Sequence, residues 1–188
     1  MITTLWQSFD EWAVGRQWPG RVLVLGIMAF LTWQMIFDEN HATIMSGINL
    51  AIHEGGHLLF QVFGEFLCIC GGTIMQCAAP VISAIVLMRA PDYFGIPFCG
   101  VWLASNLSGV SVYVADARAM EIPLVSTGSG EIIHDWNFIL SSMNMLSWDA
   151  GIATALRLSG ALLAVASTIG CSEEPSEVCA IAVSWVEQ

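Results

Sequence analysis

Apolar runs of membrane length, separated by short polar stretches, recur along the chain. They extend from Arg21 to Phe37, from about Ala42 to Phe63, from Thr73 to Met88, from Phe94 to about Ala115, and from Ala150 to Gly170. At ~1.5 Å per residue, a helix of ~20 residues crosses the hydrocarbon core of a bilayer. The pattern therefore predicts an all-α integral membrane protein with about five transmembrane helices. Phe63 to Gly72 interrupts it with Gly64, Gly71, Gly72 and the charge of Glu65. That stretch reads as a turn or re-entrant segment near 64–72, tolerable at depth only where protein or water shields its backbone. Pro80 is expected to kink the third span. Residues 1–20 set Trp6, Trp12 and Trp18 among Asp10, Glu11 and Arg16, as an interfacial segment does. Residues 171–188 form an acidic tail, and no repeat divides the chain, so 1–188 reads as a single transmembrane domain.

Composition sharpens this picture. Charged residues make up 11% of the chain, against about a quarter in soluble domains. The formal net charge of −11 argues against a nucleic-acid partner and leaves the lipid bilayer as the expected environment. The basic residues are Arg16, Arg21, Arg89, Arg118 and Arg157. Placing the N-terminus in the cytoplasm and the C-terminus outside puts Arg16, Arg21 and Arg118 inside and Arg89 outside, as the positive-inside rule asks. Arg157 lies within the fifth span and must either snorkel or pair with Asp149, Asp135 or Asp116. With the tail outside, Cys171 and Cys179 could close a short disulfide loop in an oxidising compartment.

The chemistry sits in the second span. Asn49, His53, His57 and Gln61 recur every fourth residue and share one helical face, with Glu54 about 100° around from His53. His53-Glu54-Gly55-Gly56-His57 is an H-E-x-x-H arrangement, in which two imidazoles bind Zn²⁺ and the glutamate takes a proton from water. Ionisable groups inside a span are costly and mark a site. A catalytic zinc takes a third protein ligand. In the orientation above His57 lies in the inner half of its span, within reach of Asp116, His134, Asp135 and Asp149. His134 is the expected third ligand because imidazole suits zinc, with Asp116, Asp135 and Asp149 as supporting groups or alternatives. Asn106, Tyr113 and Asn137 are candidates to stabilise an oxyanion. Asn106, Gly109, Tyr113 and Asp116 fall near one face of the fourth span, expected to turn toward the second. Gly47, Ala51 and Gly55 form a small-residue face on which a neighbouring helix could approach closely.

The H-E-x-x-H helix resembles that of the intramembrane zinc metalloproteases of the site-2 protease family. The resemblance implies His53 and His57 as ligands of one zinc ion, Glu54 as general base, and cleavage of membrane-inserted substrates from a site open toward the cytosol. That family's second motif, N-x-x-P…D-G, is echoed in Asn144-Met-Leu-Ser-Trp-Asp149-Ala-Gly151 without its proline. Gly64-Glu-Phe-Leu67, Tyr113-Val-Ala-Asp116-Ala-Arg118-Ala and Ile133-His-Asp-Trp-Asn137 look similar to small bacterial membrane proteins with the same helix, which implies a bacterial inner membrane. The expectation is a membrane-embedded zinc-dependent hydrolase, a peptidase. The alternative is a non-catalytic, metal-stabilised subunit of a larger membrane complex.

Overall fold

The computed structural model describes residues 18–37, 44–89, 94–124 and 133–172. They form α1 (Trp18–Phe37), α2 (Ser46–Phe60) with a 3₁₀ turn (Gln61–Phe63), and α3 (Glu65–Arg89). α4 (Gly95–Ala115), the short α5 (Asp135–Ser142), a second 3₁₀ turn (Leu146–Trp148) and α6 (Asp149–Ser172) follow. No strand occurs among the described residues. Three helical stretches, Glu65–Arg89, Gly95–Ala115 and Leu146–Ile169, are long and apolar enough to cross a membrane, and α1 contributes the shorter apolar stretch Val22–Phe37.

Polarity is arranged inside out. Leu23, Trp33 and Phe37 of α1, Ile82 and Met88 of α3, and Leu158, Leu162 and Ile169 of α6 are exposed, while Asn49, His53, Asn106, Ser111 and Asp149 are buried. Polar groups thus gather inside, where Asn49, His53 and Asn106 find hydrogen-bond partners on other helices. α4 is the central helix: half of its apolar stretch is buried, against 22% for α3 and 17% for the stretch ending in α6.

Small residues set the distance between α4 and α6. Gly100, Ala104 and Ser108 recur every fourth position on α4. A Cβ added at Gly160 would lie 3.1 Å from the Ala104 carbonyl oxygen, and one at Gly100 would strike Ser167 Oγ. α1 packs across this pair through Met28, Leu31 and Met35, which meet Val101, Ala104 and Ala164. A Thr32–Thr168 hydroxyl hydrogen bond of 3.0 Å ties α1 to α6. Toward the other end of α4, Val110, Val114 and Ala117 pack with Leu140 of α5 and Ala153 of α6.

α2 and α3 form an antiparallel pair. The chain reverses at Gly64, whose φ of +94° lies in a region that L side chains rarely adopt. A Cβ at Gly56 would overlap the Gly71 carbonyl group, and one at Gly71 would lie 2.7 Å from the Gly56 carbonyl oxygen, so the two backbones touch.

This corrects several expectations. The turn or re-entrant segment near 64–72 shrinks to Gly64 alone, and residues 65–72 are the first turns of α3. Gly71 and Gly72 do not break the helix there; they bring another helix against it. The close approach falls at Gly56 rather than on the Gly47, Ala51, Gly55 face, where added Cβ atoms at both glycines meet nothing and Ala51 is exposed. The third span begins at Glu65 rather than Thr73 and carries Pro80 within it. Arg157 is exposed on α6, and its three expected partners are engaged elsewhere: Asp149 by Arg118, Asp116 by His134, and Asp135 by His53 and His57. That leaves the snorkelling alternative. The interfacial segment before Trp18, the acidic tail from 173 and the Cys171–Cys179 bridge lie outside the described residues.

Substitution of two neighbouring glycines separates packing from helix propensity. Gly56→Ala forces α2 off α3 and is expected to cost about 1–3 kcal/mol. Gly55→Ala meets open space and should be neutral or stabilising by up to about 1 kcal/mol. Thermal unfolding of both variants in detergent micelles checks the ranking.

Candidate metal centre

Helical spacing stacks His53 and His57 on one face of α2, with ring centroids 4.7 Å apart and planes at 81°. Asp135, the first residue of α5, meets them from the other side. Its Oδ2 lies 2.9 Å from His53 Nε2 and 3.3 Å from His57 Nε2. These three residues can each offer one ligand atom, all within 4.8 Å of one another. Gly72 leaves the space they share: a Cβ there would stand 2.5 Å from His53 Nε2 and 2.7 Å from His57 Nε2.

The far nitrogens are held as well. His57 Nδ1 donates to the Cys68 carbonyl oxygen at 2.9 Å, and His53 Nδ1 meets Gln76 Oε1 at 3.1 Å. A carbonyl can only accept, so His57 Nδ1 carries a proton, and Nε2, which faces Asp135, is the nitrogen left for an ion once the proton it shares with that carboxylate is displaced. Ligating histidines are typically oriented in this way, by an acceptor behind the ring.

Asp135 owes its position to the residue before it. His134 is the N-cap of α5, and its Nδ1 accepts the Asn137 backbone N–H at 3.2 Å. Its Nε2 therefore carries the proton and donates to Asp116 Oδ2 at 3.2 Å. Asp116 in turn accepts the backbone N–H groups of Glu121 and Ile122, each at 3.0 Å. Burial works against the charged form of Asp116, but these hydrogen bonds and the one from His134 outweigh it and hold the carboxyl below its ordinary range. Tyr113 stacks on His134 with centroids 4.3 Å apart, and its Oη accepts the Asp135 backbone N–H at 3.1 Å. Asp135 is likewise kept below the ordinary carboxylate range. Burial raises it, and hydrogen bonds from His53 and His57 more than compensate.

The third position next to the two α2 histidines is thus taken by Asp135, not by His134 as expected. The two are adjacent in sequence, but a cap residue turns its side chain back to the helix end while the next residue projects from the helix. Asp149 is not near the cluster; it is buried and pairs with Arg118. Of the oxyanion candidates, Asn106 is committed on both sides, accepting from Gln76 Nε2 and donating to the Gln76 carbonyl. Asn137 Nδ2 donates to the Ala117 carbonyl at 2.7 Å. Tyr113 lies with its ring centroid 6.4 Å from that of His53, and its hydroxyl oxygen already accepts the Asp135 backbone N–H. Glu54 is half-buried beside the histidines and acts electrostatically on both His57 and Tyr113.

The polar stripe of α2 changes character along its length. Asn49 is buried and accepts from Trp102 Nε1 at 2.7 Å, so this end is glue between helices. Gln61 and Glu65 at the other end are exposed. His57 is more open than His53, with 22% against 9% of its side chain exposed, so the centre is approached from the Gln61 side. Sequence reasoning missed Gly72, the Cys68 carbonyl and Gln76. Gln76 had a signal: it is the only amide side chain between Thr73 and Met88.

The donor set fits a divalent ion. Ligand atoms 2.0–2.1 Å from a tetrahedral centre are separated by about 3.3 Å, close to the two contacts of 2.9 and 3.3 Å made by Asp135 Oδ2. Two imidazoles and one carboxylate leave a coordination position open, as catalytic zinc sites do. No family model matches this chain, nor does any curated protein or solved structure.

Gly72→Ala places a methyl group where the three ligand atoms converge. Zinc affinity should fall about tenfold or more, with His53, His57 and Asp135 all intact. Asp135→Asn should weaken zinc binding strongly and Asp149→Asn should not. Competition with a chromophoric chelator measures all three.

Proposed function

We propose that the protein is a membrane-embedded, zinc-dependent hydrolase that cleaves peptide bonds of membrane-inserted substrates. The observation that carries this reading is the convergence of His53 Nε2, His57 Nε2 and Asp135 Oδ2 beside Gly72, with Glu54 next to His53 on the same helix. Nitrogen and carboxylate donors in this number suit zinc. When bound, the ion supplies a Lewis acid and lowers the pKa of a water molecule toward ~7. His53, His57 and Asp135 hold it. Glu54 accepts a proton from the attacking water and passes it to the leaving amine. The Tyr113 hydroxyl donates a hydrogen bond to the carbonyl oxygen as negative charge grows on it. The apolar surround excludes bulk water, which strengthens each of these interactions.

In this reading α1 and α2 are the remaining spans of a five-span protein of the bacterial inner membrane, with its N-terminus in the cytoplasm and its C-terminus outside. α2 and its terminal turn supply the length: 18 residues from Ser46 to Phe63, or about 27 Å if fully helical. The exposed Gln61 end then faces the cytosolic side.

One observation favours a second reading. His53 and Asp135 are 82 positions apart, so an ion between them would staple α2 to the α4–α5 connection and serve as structure alone, within a larger complex.

Glu54→Gln separates the two. The hydrolase reading expects a variant that keeps its zinc and its melting behaviour and loses turnover by a factor of at least about 10². The assay uses transmembrane peptide substrates in proteoliposomes. Loss of zinc in the variant, or equal cleavage by both proteins, would sink the hydrolase reading. A large fall in melting temperature on chelation, with no cleavage by either protein, would support the staple.

A further inference from the structure

We infer that Gln76 and Asn106 form an amide relay that fixes which nitrogen of His53 carries its proton, making both of them positioning residues of the metal centre. The inference rests on the metal-binding reading above and adds a control on it that reaches from α3 to α4.

The difficulty lies in the chemistry of a carboxamide. Behind His57 stands a backbone carbonyl, which can only accept. Behind His53 stands Gln76, whose amide has an accepting end and a donating end of nearly equal size. With Oε1 toward His53, the imidazole must be protonated on Nδ1, so that Nε2 offers its lone pair to an ion once the ion displaces the proton Nε2 shares with Asp135 Oδ2 at 2.9 Å. With the amide turned over, Nε2 of Gln76 would donate to His53 Nδ1. The His53 proton would then sit on its Nε2, pointing at Asp135 from the position an ion needs.

Asn106 decides between these. It is fully buried on α4, and its Nδ2 donates to the backbone carbonyl oxygen of Gln76 at 2.6 Å. That carbonyl can only accept, so Nδ2 cannot exchange places with Oδ1. Asn106 Oδ1 therefore faces Gln76, where it accepts from Nε2 at 3.2 Å. Gln76 Oε1 is left for His53 Nδ1 at 3.1 Å. Each step leaves one choice for the next: backbone carbonyl, Asn106, Gln76, His53, metal position. The proton on His57 is set in one step by Cys68, and that on His53 in three. Both relay residues come from helices other than α2, so the ligating form of His53 depends on the register of α3 against α4. Asn106 is fully buried, so its two polar groups have no solvent to turn to and its orientation is stringent.

The test uses the full chain in detergent, with ¹⁵N-labelled histidine and zinc ion alone as the probe. In the metal-free protein the shift of His53 Nδ1 should report a bound proton. Gln76→Leu removes the acceptor, and zinc affinity should fall about ten- to a hundredfold, the usual effect of losing such a partner. Gln76→Glu can only accept at that position. Its second oxygen faces Asn106 Oδ1 and costs stability, but the proton stays on Nδ1 and zinc affinity stays within about threefold. Asn106→Leu frees the Gln76 amide to turn over. It should populate the Nε2-protonated form of His53 and weaken zinc binding, although residue 106 touches no ligand.

The inference is overturned if Gln76→Glu falls as far as Gln76→Leu, or if Asn106→Leu leaves both the His53 proton and the zinc affinity unchanged. Should Asn106→Leu fail to fold, the Gln76 pair decides. A protein that takes up no zinc at all would end the metal-binding reading, while the nitrogen shifts of its metal-free form still judge the relay.

Discussion

The contact of one backbone on another, Gly56 of α2 against Gly71 of α3, sets a distance that every group around the histidines inherits. Lipid offers little hydrophobic drive for helices to associate, so they must gain from close packing and hydrogen bonds. Without Cβ atoms at Gly56 and Gly71 the axes draw together, and Gly72, one position on, lies directly over the two imidazoles. At that separation the Cys68 carbonyl reaches one ring and Gln76 the other. A wider spacing would strand both.

The parts of this arrangement that follow a helical period were legible in the sequence. The two histidines four apart, the glutamate beside them and the apolar runs around them all report local geometry, and a helix turns local spacing directly into direction. What arrives from elsewhere in the chain was harder. His134 and Asp135 could be assigned to the right connection but not to their separate roles, because which of two adjacent residues caps a helix depends on where that helix begins. The glycines of 64–72 were read as breakers, since the sequence does not show whether a glycine bends its own helix or admits another. Gln76 carried a faint mark, one amide in an apolar run, but its meaning depends on Asn106 thirty positions away.

The same polar vocabulary serves two ends. Near Trp102 and Ser105, Asn49 uses its amide to join α2 to α4. One turn on, His53 meets Gln76, itself bonded to α4 through Asn106. Structure and chemistry are therefore graded along a single helical face, from fully paired groups at one end to exposed ones at the other. On α4 the asparagine is paired on both sides and Ser105 and Ser111 bond to carbonyls of their own helix, while the Ser108 hydroxyl has no partner among the described residues.

The hydrogen bond between Asp116 and His134 joins two points 18 positions apart. Asp116 also gathers the backbone of Glu121 and Ile122, so both ends of the intervening chain are fastened at one knot. Lengthening a closed loop is cheap, about 0.6 kcal/mol for each doubling. A longer connection between Ile122 and His134 would therefore still leave Asp135 held from the same knot.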